Sequence, residues 1–321
     1  MKKILFFWLI LSLFLVAGGC RANDGEYSYV EEEIVVKTDE FELAGKLTIP
    51  EAKEMVPAIV LVHGSGASNM NEAIGALEPF ENLAQELAKK GIASIRYDKR
   101  TFAYGTTLIE DYDFTIYDEV IDDVLSAAAM LRADARIDHN NIFIVGHSMG
   151  GQLAPIILNI DTNMKGAILL AGTTEHIIDV MMRQLQEQDS PYYDTYLPYY
   201  DYFRNLKEVA IGEEKYFYMG AYEAYWASYN KFELEAELIK AATSYKLLIM
   251  QGGHDLQVPK TTLDDYKSLL TEKDNVQYKY YEDLNHCFVY GVNETIHTAY
   301  LIRRKIPTEV IEDIVNFIKN E

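Results

Sequence analysis

A serine between glycines, an aspartate and a histidine are the residues of this chain that could do covalent chemistry together. Ser148 stands in Gly146-His147-Ser148-Met149-Gly150. A serine hydroxyl is a weak nucleophile until a base takes its proton, and the base must be oriented by an acid. Asp255, in Gly252-Gly253-His254-Asp255, and His286, in Leu284-Asn285-His286, follow in chain order. The chemistry open to these types is attack on an acyl carbon. His286 would take the proton from Ser148, and Asp255 would hold the imidazole in the right tautomer. The developing oxyanion needs N–H donors. Met149, next after the serine, and Ser65, in His63-Gly64-Ser65-Gly66, can supply them from the backbone.

These residues need elements that bring them to one place. The apolar run Asn141–Val145 reads as a strand entering the glycine-flanked serine, and Gly151–Leu158 reads as the helix leaving it. A serine on such a sharp turn has its hydroxyl raised at the end of a sheet, with the first N–H groups of the helix aimed at the same spot. Pro57–Val62 is a strand leading into His63. Lys246–Met250 is a strand leading towards Asp255, and Val276–Tyr281 one leading towards His286. Each candidate therefore sits past the carboxyl end of a strand, where open α/β sheets place their sites. Helices are expected at Pro79–Lys90, Tyr117–Leu131, Thr261–Leu270 and Glu309–Ile318, and Asn293–Ile302 also reads as helical. Glu31–Thr38 and Phe41–Ile49 read as a strand pair turning at Asp39-Glu40. Alternating strand and helix runs predict a single α/β domain.

With the motifs in that order, the chain resembles the α/β-hydrolase superfamily. More narrowly it resembles the bacterial carboxylesterases of the serine aminopeptidase-like branch, with their His-Gly-x-Gly, Gly-His-Ser-x-Gly, Gly-x-x-Asp and late Asn-His. Arg96-Tyr97-Asp98-Lys99-Arg100 is similar to the family's Asp-x-Arg-Gly segment, with Thr101 where glycine is usual. The resemblance covers residues 31–171 and 244–321. It implies a mostly parallel central sheet with flanking helices, and a helical lid inserted at 172–243. The inserted stretch carries 11 of the 24 tyrosines, and its 13 acidic against 6 basic residues make it acidic. Tyrosines with an apolar body and polar tip suit a half-wet cleft.

The formal net charge of −21 excludes a general nucleic-acid binder, which needs a basic surface. No metal-ligand spacing such as H-E-x-x-H and no cofactor motif is present, so neither metal nor cofactor is expected. Met1-Lys2-Lys3, the apolar run Ile4–Val16 and Ala17-Gly18-Gly19-Cys20 have the layout of a secretory signal ending in a lipobox-like sequence. The expectation is a signal peptide over 1–20, lipidation of Cys20, a polar tether over 21–30, and a membrane-anchored lipoprotein facing outside the cytoplasm. The other cysteine, Cys287, is expected to pack rather than react.

Among the remaining histidines, His63 is expected to shape its loop, His147 to pack under the serine turn, and His254 to support the Asp255 turn. His297 is expected on the surface or in the core. Asp98 and Arg100 are expected to pair with each other. The leading functional expectation is hydrolysis of small-molecule esters with small or medium acyl chains. A serine aminopeptidase or amidase is the alternative, with Glu175, Asp179 or Glu187 as candidates for holding a peptide amine. An acyl thioesterase, or a non-catalytic surface binding module, follows.

Overall fold

The computed structural model describes residues 26–108, 110–209, 215–271, 273–291 and 293–319. The expected signal peptide, Cys20 and residues 21–25 of the expected tether lie outside the described residues. Strand β1 (Tyr29–Thr38) turns through Asp39, at φ 53°, into β2 (Phe41–Pro50). The tether expectation therefore ends early: Tyr29 and Val30 pair with Pro50 and Ile49, and the Tyr27 N–H donates to the Lys89 carbonyl.

Six further strands complete the main sheet: β3 (Val56–Val62), β4 (Ala93–Tyr97), β5 (Ile137–His147), β6 (Gly166–Leu170), β9 (Lys246–Gly252) and β10 (Val276–Tyr281). The short strands β7 (Phe217–Tyr218) and β8 (Ala221–Tyr222) form a separate hairpin. The eight-stranded sheet runs β1-β2-β4-β3-β5-β6-β9-β10. The β1–β2 and β2–β4 pairings are antiparallel, and every pairing from β4 to the β10 edge is parallel. The chain leaves β3 for β4 on one side and returns to β5 on the other. That reversal is a switch point, and it opens a crevice at the carboxyl ends of β3 and β5.

Strands β3 and β6 are apolar throughout, as are β5 over Ile142–Val145 and β9 over Leu247–Met250, because both faces are covered there. Alternate side chains divide between two cores. Val60, Ile144, Leu169 and Ile249 meet the helices Asp122–Ala133 and Met149–Ile160. Leu61, Val145, Ile168 and Met250 meet Pro79–Lys89 and Thr308–Lys319. Phe80, Leu83, Ala84 and Leu87 form the buried face of the helix Pro79–Lys89. The expected helix from Tyr117 begins as a π-helical turn, Tyr117–Ile121, before becoming α-helical at Asp122.

Between β6 and β9 the chain forms a run of short elements: helices Ile177–Glu187, Tyr192–Tyr196, Tyr200–Asn205, Glu223–Tyr229 and Leu234–Ala241, with the β7–β8 hairpin among them. Tyr218, Tyr225, Trp226 and Tyr229 of this run are buried in the core facing Met149–Ile160.

The expected helix over Asn293–Ile302 is absent among the described residues, where the segment is a series of turns. Asn293 takes a left-handed φ of 62°, which a right-handed helix cannot include, and the bonds that follow are mostly of the tighter turn type, Thr298 N–H to Thr295 and Leu301 N–H to Thr298.

Candidate active site

Strand β5 delivers Ser148 at its carboxyl end, in a backbone conformation (φ 53°, ψ −117°) that non-glycine residues rarely adopt. Such a conformation costs about 1–3 kcal/mol and persists only where the surroundings impose it. Here they do. The Ser148 N–H donates to the Leu170 carbonyl of β6 at 2.8 Å, and the Ser148 carbonyl accepts from the Gln152 N–H at 3.0 Å. The flanking glycines are required by close backbone approach. A Cβ on Gly146 would lie 2.2 Å from the Gly150 carbonyl oxygen, and one on Gly150 would lie 2.1 Å from that of Val62.

Past β9, Asp255 is held from four sides. Its Oδ1 accepts from the N–H groups of Gln257 (2.8 Å) and Val258 (2.9 Å). Its Oδ2 accepts from Gln251 Nε2 (3.0 Å) and lies 2.8 Å from His286 Nδ1. Burial would raise this carboxyl, but the charge and hydrogen bond of His286 and the two backbone N–H groups outweigh it. The group is held below the ordinary aspartate range. A carboxylate acceptor on Nδ1 fixes that nitrogen as the donor and leaves Nε2 free to take a proton.

The loops carrying Asp255 and His286 are laced together. The Gly253 N–H donates to Tyr281 and the His254 N–H to Leu284. Asn285 braces the histidine turn, its side-chain oxygen accepting from the Cys287 N–H at 3.0 Å. Neither Ser148 Oγ nor His286 Nε2 has a hydrogen bond among the described residues, as is common for catalytic pairs before substrate binds. The two loops nevertheless meet: His147 Nε2 donates to the His286 carbonyl at 2.9 Å.

The N–H groups of Ser65 and Met149 donate to no other group among the described residues. Both residues line a narrow cleft with Ser148, and both line a cavity of about 440 Å³ beside it. The larger cavity lacks Ser148 itself but shares Ile177 and Met181 with the cleft. Its walls are mainly apolar, including Met219, Tyr222 and Trp226 from the segment between β6 and β9.

Several residues around the site escape sequence reading. Glu72 is buried at a positive φ of 51°. Its Oε1 accepts from the Gly64 N–H at 2.6 Å, and its Oε2 lies 3.1 Å from His147 Nδ1. Burial would lower the His147 imidazole and raise the Glu72 carboxyl, but the charge of each on the other reverses both shifts. His147 therefore does more than pack: it joins the glycine loop after β3 to the His286 loop. His63 shapes its own loop as expected. It sits 3.0 Å from the Asn69 carbonyl, and burial pulls its imidazole down to about 4.

Asp98 and Arg100 do not pair with each other, contrary to the sequence expectation. Asp98 accepts from the Met70 N–H at 2.7 Å, whereas Arg100 turns inward to Asp123 at 2.6 Å. Lys99, between them, is also buried. Cys287 packs, and burial pushes its thiol well above the ordinary range, away from the reactive thiolate. The three carboxylates considered for a peptide amine share two arginines. Glu175 and Glu187 face Arg183 at 3.1 and 3.6 Å, and Asp179 faces Arg204 at 3.1 Å. Among the described residues no cluster of His, Cys, Asp and Glu could hold a metal ion.

The chain as a whole is similar to known proteins. Residues 53–293 match the family model described as serine aminopeptidase, S33. Esterase EstD of Thermotoga maritima is 30% identical over 292 residues, covering 91% of this chain and 68% of the relative. Among solved structures, Est1E from Butyrivibrio proteoclasticus superposes with a TM-score of 0.57 at 16% identity, covering 89% of this chain and 97% of that one. An acylaminoacyl peptidase from Pyrococcus horikoshii gives 0.54 at 20% identity, covering 80% of this chain and 38% of that one. At these identities the two structures speak for the fold alone.

Proposed function

Given that the chain belongs to the serine aminopeptidase S33 family of α/β-hydrolases and is an esterase-type hydrolase, we propose that it cleaves carboxylic esters of small or medium acyl chains through an acyl-enzyme on Ser148. The observation that carries this reading is the buried 2.8 Å Asp255–His286 contact on a loop that abuts the strained Ser148 turn. In the proposed cycle, His286 Nε2 takes the Ser148 proton as Oγ attacks the acyl carbon. The N–H groups of Ser65 and Met149 hold the oxyanion. The alcohol leaves with the proton from His286, and water attacks the acyl-enzyme with His286 again as base.

The ester reading draws support from charge. A peptidase of free amino termini needs an uncompensated carboxylate for the substrate amine. Of the acids of the segment between β6 and β9 named for that role, Glu175 and Asp179 already face arginines at 3.1 Å, and Glu187 shares Arg183 with Glu175. The neighbouring cavity is chiefly apolar and suits an uncharged acyl or alcohol group. A thioesterase on coenzyme A would have to bring a polyanion to a chain of net charge −21. Within the proposal, residues 172–243 act as a lid whose inner face lines that cavity. The N-terminal segment anchors the enzyme to the membrane through lipidated Cys20 and places it outside the cytoplasm.

The test is a substrate panel: p-nitrophenyl esters from acetate to laurate beside aminoacyl p-nitroanilides. Turnover of the shorter esters, with the anilides slower by at least about a hundredfold, is expected; faster hydrolysis of the anilides would overturn the ester reading.

A further inference from the structure

The Gly64–Ser65 peptide is trans and planar, so its carbonyl and its N–H point in opposite directions. Whatever holds the Gly64 carbonyl therefore aims the Ser65 N–H. Lys99 holds it. This lysine is only 2% exposed, and its ammonium donates to the Gly64 carbonyl at 2.9 Å and the Gly66 carbonyl at 3.0 Å. It lies 2.6 Å from Glu119 Oε1, so all three of its donors are engaged.

Glu119 lies on the π-helical turn Tyr117–Ile121 and forms part of the wall of the 440 Å³ cavity. Its second oxygen accepts from the hydroxyl of Tyr225 at 2.5 Å. Tyr225 comes from the segment between β6 and β9, on helix Glu223–Tyr229. Burial and the adjacent carboxylate push its phenol well above the ordinary range, so it stays a donor. The same hydroxyl lies 3.9 Å from the sulfur of Met149. One tyrosine thus touches the residue bearing one oxyanion N–H and, through Glu119 and Lys99, the peptide bearing the other.

We propose that Lys99 is the positioning residue of the oxyanion loop, and that Tyr225, acting through Glu119, couples the seating of the inserted segment to the direction of the Ser65 N–H. The proposal rests on the serine-hydrolase reading above. With the segment seated, Tyr225 satisfies Glu119, the carboxylate anchors the ammonium, and the ammonium holds both carbonyls. Without the tyrosine hydroxyl, a buried carboxylate oxygen is left unmatched. It then competes with the Gly64 and Gly66 carbonyls for the Lys99 donors. The Gly64–Ser65 peptide is freed to turn its N–H away from the reacting oxygen.

The experiment compares Tyr225→Phe in two backgrounds, wild type and Lys99→Met/Glu119→Gln. The double substitution removes both buried charges together and so leaves neither unpaired. Two readouts are needed: kcat and KM on p-nitrophenyl butyrate, and affinity for an alkyl trifluoromethyl ketone, which adds to Ser148 as a tetrahedral oxyanion. In wild type, Tyr225→Phe should lower kcat by roughly ten- to a hundredfold, part of the effect of losing one oxyanion donor. KM should change little, and ketone affinity should fall by the same factor as kcat. In the double-variant background the same substitution should have almost no further effect.

Unchanged kcat in Tyr225→Phe, a rise in KM alone, or equal losses in the two backgrounds would each overturn the proposal. Should the double variant fail to fold, the single variant's kcat and ketone affinity decide. A folded wild-type protein that neither hydrolyses the ester nor binds the ketone would overturn this proposal and the ester reading together. An active wild type with an unaffected Tyr225→Phe would overturn this proposal alone.

Discussion

Replacing Asp255 by asparagine changes one atom type at the point where the proposed chemistry is most constrained. The carboxylate accepts four hydrogen bonds, two on each oxygen. An asparagine can keep the Gln257 and Val258 N–H groups with its amide oxygen. Its NH2 group then faces His286 Nδ1 and Gln251 Nε2, where the aspartate had an acceptor. Donor would meet donor unless His286 changes tautomer and accepts at Nδ1. The proton then moves to Nε2, the nitrogen that must take one from Ser148. The stability loss is that of a charge-assisted buried hydrogen bond, about 1.5–3 kcal/mol. The loss in kcat should be far larger, on the order of ten-thousandfold, because both the tautomer and the charge that stabilises the imidazolium are gone. Stopped-flow and steady-state hydrolysis of p-nitrophenyl butyrate, beside a urea unfolding curve, separate the two effects. A folded Asp255→Asn protein with kcat within tenfold of wild type would refute the assignment of Asp255 and with it the tautomer argument.

The remaining expectations concern the frame around that pair. Gly146→Ala puts a methyl 2.2 Å from the Gly150 carbonyl oxygen and should lower the urea midpoint by the equivalent of about 3 kcal/mol or more, or prevent folding; an unchanged midpoint would contradict the close approach. Glu72→Gln should destabilise most between about pH 4.5 and 6.5, the ordinary values of glutamate and histidine. The Glu72 carboxyl is lowered, so its contribution is lost as pH falls through its folded pKa; the His147 imidazole is raised, so its contribution is lost as pH rises through its own. Unfolding midpoints at pH 4, 6 and 9 check this, and a difference that is flat across them would refute the pair. Met181→Trp narrows both the cleft and the cavity. It should cut activity on octanoate at least about tenfold more than on acetate, and equal losses would place the acyl group elsewhere.

The candidate site was legible where local backbone geometry dictates residue type. Gly146 and Gly150 are glycine because carbonyl oxygens occupy the space of a side chain, so the turn shows in the sequence itself. Ser148, Asp255 and His286 could be placed because each follows a strand, and strand ends are where such sheets gather residues. The brackets around them were not legible. Glu72, Lys99 and Glu119 are charged types that usually lie in solvent. Only the fold shows that Glu72 is buried against Gly64, and that Lys99 and Glu119 reach the distant Gly64, Gly66 and Tyr225. The misreading of Asp98 and Arg100 has the same cause. Neighbours just past a strand end face different ways, one back to the Met70 N–H and the other down to Asp123. The expected helix at Asn293–Ile302 failed for a local reason. Asn293 adopts a φ of 62°, a left-handed conformation that a right-handed helix cannot include.

The most direct measurement is hydrolysis of p-nitrophenyl butyrate by protein lacking residues 1–20, beside its Ser148→Ala form. With Ser148 as nucleophile, turnover by the first and a loss of more than about a thousandfold in the second are expected, with both folded. Equal activity in the two, or none in a folded wild type, would contradict that role.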